Sequence, residues 1–155
     1  MIFIAHRGLF NGPDPETENS PRQITAALSK GFEVEIDVWM IDGKLFLGHD
    51  KPNYEVPKEF FWNSMMWIHC KNIDALCEFA NHPCAEAFFH DKDDVVLTTR
   101  NFLWTYPKAE SKLTNQSIAV LPEKVGEWDG LDSCLGICSD YVVEFKKDIG
   151  FKLNA

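Results

Sequence analysis

Basic residues are scarce in this sequence: 15 Lys and Arg stand against 24 Asp and Glu, a formal net charge of −9. That excludes a nucleic-acid binder relying on a broad basic face. It also gives no long-range pull on an anionic ligand, so any anion site must be built locally. No apolar run approaches the ~20 residues of a membrane helix, so stable membrane insertion is not expected. Neither a basic n-region nor an apolar h-region precedes the first strand, and the expectation is a soluble, cytoplasmic protein. The five cysteines, Cys70, Cys77, Cys84, Cys134 and Cys138, contain no Cys-x-x-Cys. An odd count without zinc-ligand spacing reads as reduced thiols rather than a disulfide framework or a zinc site. Repeats, low-complexity tracts and linker-like stretches are also missing, and 155 residues suit one domain, 1–155, with one core. Core-forming residues are not lacking: 45% of the chain is hydrophobic, with 12 Phe and 5 Trp, which argues against disorder.

The chain opens M-I-F-I-A-H-R-G, a short apolar strand aimed at His6 and Arg7. After a polar loop, Ser20 reads as an N-cap with Pro21 at the first helical position. Ile24, Ala27 and Leu28 follow at helical spacing, and Gly31 is the stop. In F-E-V-E-I-D-V-W, Val34, Ile36 and Val38 share one face and Glu35 and Asp37 the other. Asp42-Gly43 is a hairpin turn, and L-F-L-G-H-D returns as a strand ending at His49. K-P-N-Y-E-V-P-K reads as a proline-bounded loop. M-M-W-I-H-C-K-N is a further strand, with Trp67, His69 and Lys71 on one side. Asn72 caps a helix expected to turn Ile73, Leu76, Cys77 and Ala80 inward. Later strands are A-E-A-F-F-H, a hairpin through Arg100-Asn101, S-I-A-V-L-P and C-L-G-I-C-S-D-Y-V. Early alternation of strand and helix implies parallel βαβ units. The later connections are too short for ordinary crossovers.

Glu35 and Asp37 carry the chemical information. If Val34, Ile36 and Val38 pack under helices, both carboxylates face the interior of the sheet or barrel. Two like charges ~4 Å apart repel by about 4 kcal/mol at an effective dielectric of ~20. A divalent metal, or Lys71 or Arg7, would offset that; on an edge strand, both acids would simply be solvated. The remaining segments tip the balance. His6-Arg7, His49-Asp50 and His69 with Lys71 also fall at or near strand ends, and in parallel α/β folds sites form at the C-terminal edge of the sheet.

These segments resemble the glycerophosphodiester phosphodiesterase family, within the phospholipase-C-like phosphodiesterases. The match is H-R-G at His6-Arg7-Gly8, E-N-S at Glu18-Asn19-Ser20, E-x-D at Glu35 and Asp37, and D-G…H-D at Asp42-Gly43 and His49-Asp50. It covers about the first 70 residues and is faint afterwards. The resemblance implies a (β/α)₈ barrel hydrolysing small-molecule phosphodiesters with a divalent cation (magnesium, calcium or manganese). His6 and His49 then resemble the acid/base histidines, Glu35 and Asp37 the metal-binding carboxylates, Arg7 and Lys71 the phosphate-contacting cations, and Glu18 the acid that orients the site. Two departures stand out. The family usually has a glutamate two positions before the third strand's lysine; here that position is His69, an imidazole that can ligate a metal but favours softer ions. A full barrel typically needs ~250 residues, so the expected fold is α/β, a reduced or partly open TIM-type barrel, and a second copy of the chain could cover an exposed edge. Two rivals remain: an inactive binding module for phosphorylated ligands, and a lyase or phospholipase forming a cyclic phosphate.

Other residues have plainer readings. His82, before Pro83, reads as a surface residue. Asp91, Asp93 and Asp94 lack the glycine and distal glutamate of a calcium loop and read as solvated. Trp39, Trp62, Trp67, Trp104 and Trp128 are expected in the core or at its rim. His90, Asp140, Trp104 and Tyr106 are placed where they could reach the same pocket.

Overall fold

The computed structural model describes residues 1–108, 110 and 112–153. In chain order these form β1 (Ile2–Ala5), α1 (Pro21–Ser29), β2 (Glu33–Ile41), β3 (Lys44–Leu47), β4 (Tyr54–Val56) and β5 (Met66–Cys70). Then follow α2 (Ile73–Phe79), β6 (Glu86–Phe88), β7 (Val95–Leu97), β8 (Leu103–Thr105), β9 (Ser117–Val120), β10 (Gly136–Ser139) and α3 (Val142–Leu153). All ten strands join one sheet. Parallel pairing runs β6-β5-β2-β1-β10-β9-β8. The sheet curls into a partly open barrel. Across the opening, the Thr99 amide donates to the Ala87 carbonyl at 2.9 Å, and the Ala87 amide donates to Thr99 Oγ1 at 3.0 Å. A side chain thus supplies part of what strand pairing supplies elsewhere.

The alternation of β2 decides which side chains meet. Val34, Ile36 and Val38 are fully buried on the outer face, with Ile24 and Ala27 of α1 and Ala75 and Phe79 of α2 in the same core cluster. The inner face gathers Ile4, Trp67, Phe88, Trp104, Ile118, Val120 and Cys138. Against β1 and β10, α3 closes a third side. Ser20 caps α1 by accepting from the Gln23 amide, with Pro21 at the first turn, as its sequence signature requires. The later parallel strands are linked without α-helices. No described helix is long and apolar enough to cross a membrane.

The far half of β2 pairs antiparallel with β3, which folds the chain back toward the open end. The turn residues Asp42 and Gly43 both have positive φ, 48° and 76°, matching the twist of a two-residue hairpin. At the return, the Gly48 amide donates to the Asp37 carbonyl at 3.1 Å. Gly48 has φ +144°, and a Cβ there would lie on the Lys51 carbonyl oxygen. Only glycine lets the chain turn so sharply and deliver His49 next to β2.

Three local expectations are corrected. The proline-bounded stretch contains a strand: β4 adds to the edge of β3, with Pro52 and Pro57 outside its ends where no ladder amide is needed. In α2, Leu76 packs partly buried on the core as expected, but the fully inward residues are Ala75 and Phe79, while Ile73 (58% exposed), Cys77 and Ala80 face outward. Asn72 sets this rotation, accepting from the Ala75 amide and donating to the Met40 carbonyl, and Phe79 packs edge-on against Phe61 with centroids 4.9 Å apart. Tyr141 and Val142 lie outside the last strand. Ser139 Oγ accepts from the Tyr141 amide, and the chain turns into α3.

His82 is half-buried and structural. Its Nδ1 accepts from the Cys84 and Ala85 amides at 3.3 and 3.1 Å, which requires an unprotonated nitrogen. Burial lowers its pKa, Glu78 opposes this, and Arg100 adds to the lowering. Between that depressed value and the unfolded ~6.5, the unfolded chain binds more protons, so stability should fall as pH drops through this window. Urea midpoints measured at about pH 7.5 and about pH 5.5 should differ more in the wild type than in His82→Ala. Equal differences would remove His82 from the pH response.

Candidate active site

Glu35, Asp37 and His69 come from within β2 and β5, and the other expected residues from the stretches that follow strands; the sheet gathers six of the eight around one cavity, with Lys71 and Glu18 beside them. A cavity of about 180 Å³ is lined by His6, Arg7, Glu35, Asp37, His49 and His69 on its ionisable side. Trp104, Tyr106, Val120 and Leu121 form an apolar wall. Lys71 lies in an adjoining hollow shared with His49, His69 and His90.

Asp37 is the hub. It is fully buried. Its Oδ2 accepts from Asn19 Nδ2 at 2.9 Å and lies 3.4 Å from Arg7 Nε. Its Oδ1 lies 2.9 Å from His69 Nδ1 and 3.3 Å from Lys71 Nζ, yet has no partner in hydrogen-bond geometry. Burial would raise the Asp37 pKa; the His69 ring and the Lys71 and Arg7 charges outweigh burial and hold the carboxyl well below the usual range. Glu35, 3% exposed, accepts the Arg7 backbone amide on Oε2 at 3.0 Å. Burial first, then the neighbouring Asp37 charge, pushes its pKa up against the pull of His6, His69 and Arg7. Two adjacent carboxylates are thereby driven apart in proton affinity, a pattern that marks functional sites.

Glu18 accepts from Arg7 Nη1 at 2.9 Å, fixing the guanidinium under the cavity. His6 Nδ1 and Asp140 Oδ1 are 2.8 Å apart, leaving Nε2 on the side of Glu35 Oε2, 3.9 Å away. Burial would lower the His6 pKa; the Asp140 hydrogen bond and the Glu35 charge overcome it, and the net direction is up. His49 stands at the mouth with its side chain 34% exposed and Nδ1 2.7 Å from Asp50 Oδ1. Both imidazoles thus have one nitrogen bound to an aspartate.

Backbone strain collects here. Among described non-glycine residues with positive φ, Asp42 and Asn101 sit in hairpin turns. The others, Arg7 (52°), Asn19 (57°) and Leu121 (47°), all hold or line the site, as strained residues tend to do. Leu121 is left-handed immediately before Pro122, a conformation proline disfavours in its predecessor.

Asn19 has a role that the sequence reading did not assign. It is 1% exposed, and besides donating to Asp37 it accepts the Asp37 amide on Oδ1 at 2.9 Å. Asn19→Ala would strand both groups, at about 1–3 kcal/mol for each. A urea midpoint within error of the wild type would contradict this. His90 lines the cavity too, stacked on His69 (centroids 4.7 Å) and tilted against Tyr106 (4.0 Å). Burial, then the nearby His69 and Lys71 charges, lowers its pKa to about 4. His90 and Asp140 share a signal, an ionisable residue within two positions of a strand's C-terminal end. Of the acidic cluster, Asp91 borders the adjoining hollow, Asp94 pairs with Lys108 and Asp93 is exposed.

Glu35, Asp37 and His69 are all buried and offer ligand atoms within 4.8 Å of one another, so they can hold a metal ion. The Asp37 Oδ1 atom, buried without a hydrogen-bond partner, fits that use. The sequence matches no protein-family model and no curated protein.

Proposed function

We propose that this protein is a divalent-metal-dependent phosphodiesterase acting on glycerophosphodiester-like substrates, on a reduced TIM-type barrel akin to that of the glycerophosphodiester phosphodiesterases. The observation that carries the reading is the convergence of His6 and His49 with Glu35, Asp37, His69 and Arg7 around one cavity. A phosphodiester is an anion that repels nucleophiles. When bound by Glu35, Asp37 and His69, a divalent ion supplies charge neutralisation at a non-bridging oxygen. Arg7, braced by Glu18, presents forked donors to the phosphate, and Lys71 adds a point charge. Asp140 orients His6, and Asp50 does the same for His49. One imidazole takes the nucleophile's proton and the other gives a proton to the leaving oxygen. The Trp104, Tyr106, Val120 and Leu121 wall excludes water from one side of the reacting group and packs against the alcohol. Water, or a hydroxyl of the substrate that closes a cyclic phosphate, serves as nucleophile.

One observation favours a second reading, a non-catalytic binder of phosphorylated ligands: Asp37 already has Arg7, Lys71 and His69 within 3.4 Å. Turnover separates the two. The protein should cleave glycerophosphodiesters with an added divalent ion and stop on chelation. Binding of a phosphorylated ligand with no cleavage under any divalent ion would select the binder. Product analysis for cyclic phosphate distinguishes hydrolase from lyase.

A further inference from the structure

We infer that the ion taken by Glu35, Asp37 and the Nδ1 of His69 is a borderline transition-metal ion, such as zinc or cobalt(II), with magnesium and calcium disfavoured, and that Phe88 and His90 hold His69 in its ligating pose. This rests on the metal-dependent reading above.

The available donors decide it. One oxygen of each carboxylate is already engaged: Glu35 Oε2 by the Arg7 amide at 3.0 Å, and Asp37 Oδ2 by Asn19 at 2.9 Å. Each carboxylate keeps one oxygen outside these hydrogen bonds, and the third ligand is a nitrogen. Calcium takes about 6–8 oxygens, often through bidentate carboxylates, and magnesium prefers an all-oxygen octahedron. The carboxylates alone would serve either ion with water, but an imidazole in the set suits neither; it suits ions that accept nitrogen. The surrounding charge points the same way. Lys71 and Arg7 already face the two oxygens of Asp37 at 3.3 and 3.4 Å, weakening the purely ionic attraction on which hard ions depend. A nitrogen ligand adds covalency that those cations do not cancel.

His69 is also held in place. Phe88 stacks on it with centroids 5.1 Å apart and planes 9° apart, and His90 stacks on it at 4.7 Å and 22°. The ring cannot rotate without breaking both contacts. Such support around a ligand is commonly worth ~10–100-fold in metal affinity.

Zinc outbinds magnesium at most protein sites, so the test reads a change in preference and a direct signature of nitrogen ligation. Metal-stripped wild type and His69→Glu are titrated calorimetrically with zinc and with magnesium. The zinc-over-magnesium preference should shrink by at least ~10-fold in the variant, where a carboxylate replaces the imidazole. Cobalt(II)-loaded wild type should show a hyperfine-shifted imidazole N–H proton in its NMR spectrum; this needs no variant to fold. His90→Ala should weaken zinc binding ~10-fold or more. An unchanged zinc-to-magnesium ratio in folded His69→Glu, or a cobalt(II) protein without the imidazole proton, overturns the inference. Imidazole ligation without diester cleavage would sink the phosphodiesterase reading and leave this one standing; cleavage without imidazole ligation would do the reverse.

Discussion

His6→Ala is expected to lower metal-dependent diester cleavage by about 10²–10⁴-fold, the usual worth of a positioned proton-transfer group, and His49→Ala should do the same. The two variants should differ in stability. His49 is partly exposed at the mouth, and its loss should leave the unfolding midpoint nearly unchanged. His6 is half-buried between Asp140 and Glu35. Burial opposes its protonation, but Asp140 and Glu35 raise its pKa above the ordinary value. The stability it contributes is therefore present below the unfolded pKa of ~6.5 and fades as pH rises through the higher folded value. His6→Ala should accordingly cost more stability at about pH 6 than at about pH 9. Asp140→Asn removes the interaction that lifts the His6 pKa, so the limb of the pH–rate profile belonging to His6 should move to lower pH. Unchanged turnover in both histidine variants would end the enzymatic assignment.

Asp37→Ala carries the largest expected cost in stability, about 3–5 kcal/mol, the range for removing one partner from a buried charge cluster. Arg7 and Lys71 would face each other without the carboxylate between them, and Asn19 Nδ2 would lose its acceptor. Asp37→Asn keeps the shape and should cost less stability while abolishing turnover equally. The pH response gives a second readout. Burial disfavours the Asp37 carboxylate, but His69, Lys71 and Arg7 more than compensate and hold its pKa low. Its contribution is then present above the unfolded ~3.9 and lost as pH falls toward the folded value. The fall in unfolding midpoint below about pH 4 should be shallower in Asp37→Asn. Identical acid limbs would mean that Asp37 is not the hub described here.

Much of this site was legible because strand chemistry is local. The alternation of β2 placed Glu35 and Asp37 on one face, and burial of Val34, Ile36 and Val38 on the other sends that face inward. Ser20-Pro21 and Asp42-Gly43 act through their own dihedrals and capping, so they read directly. What stayed hidden depends on distant partners. Asn19 matters because Asp37, 18 residues away, meets it across the sheet; nothing beside it in sequence shows that. The rotation of α2 is set by Asn72 gripping β2, which outweighs a two-turn apolar pattern. The strand β4 exists only because β3 offers it an edge. The closing contacts of Thr99 with Ala87 join a turn to a strand whose spacing no local signal gives.

The most direct test is an anomalous-difference map from crystals soaked with cobalt(II) and a non-hydrolysable glycerophosphodiester analogue. A single strong peak should lie between the Glu35 and Asp37 carboxylates and His69 Nδ1, with the phosphorus beside Arg7 and between the two histidines. A cobalt peak elsewhere, or the analogue bound away from His6 and His49, would contradict the site.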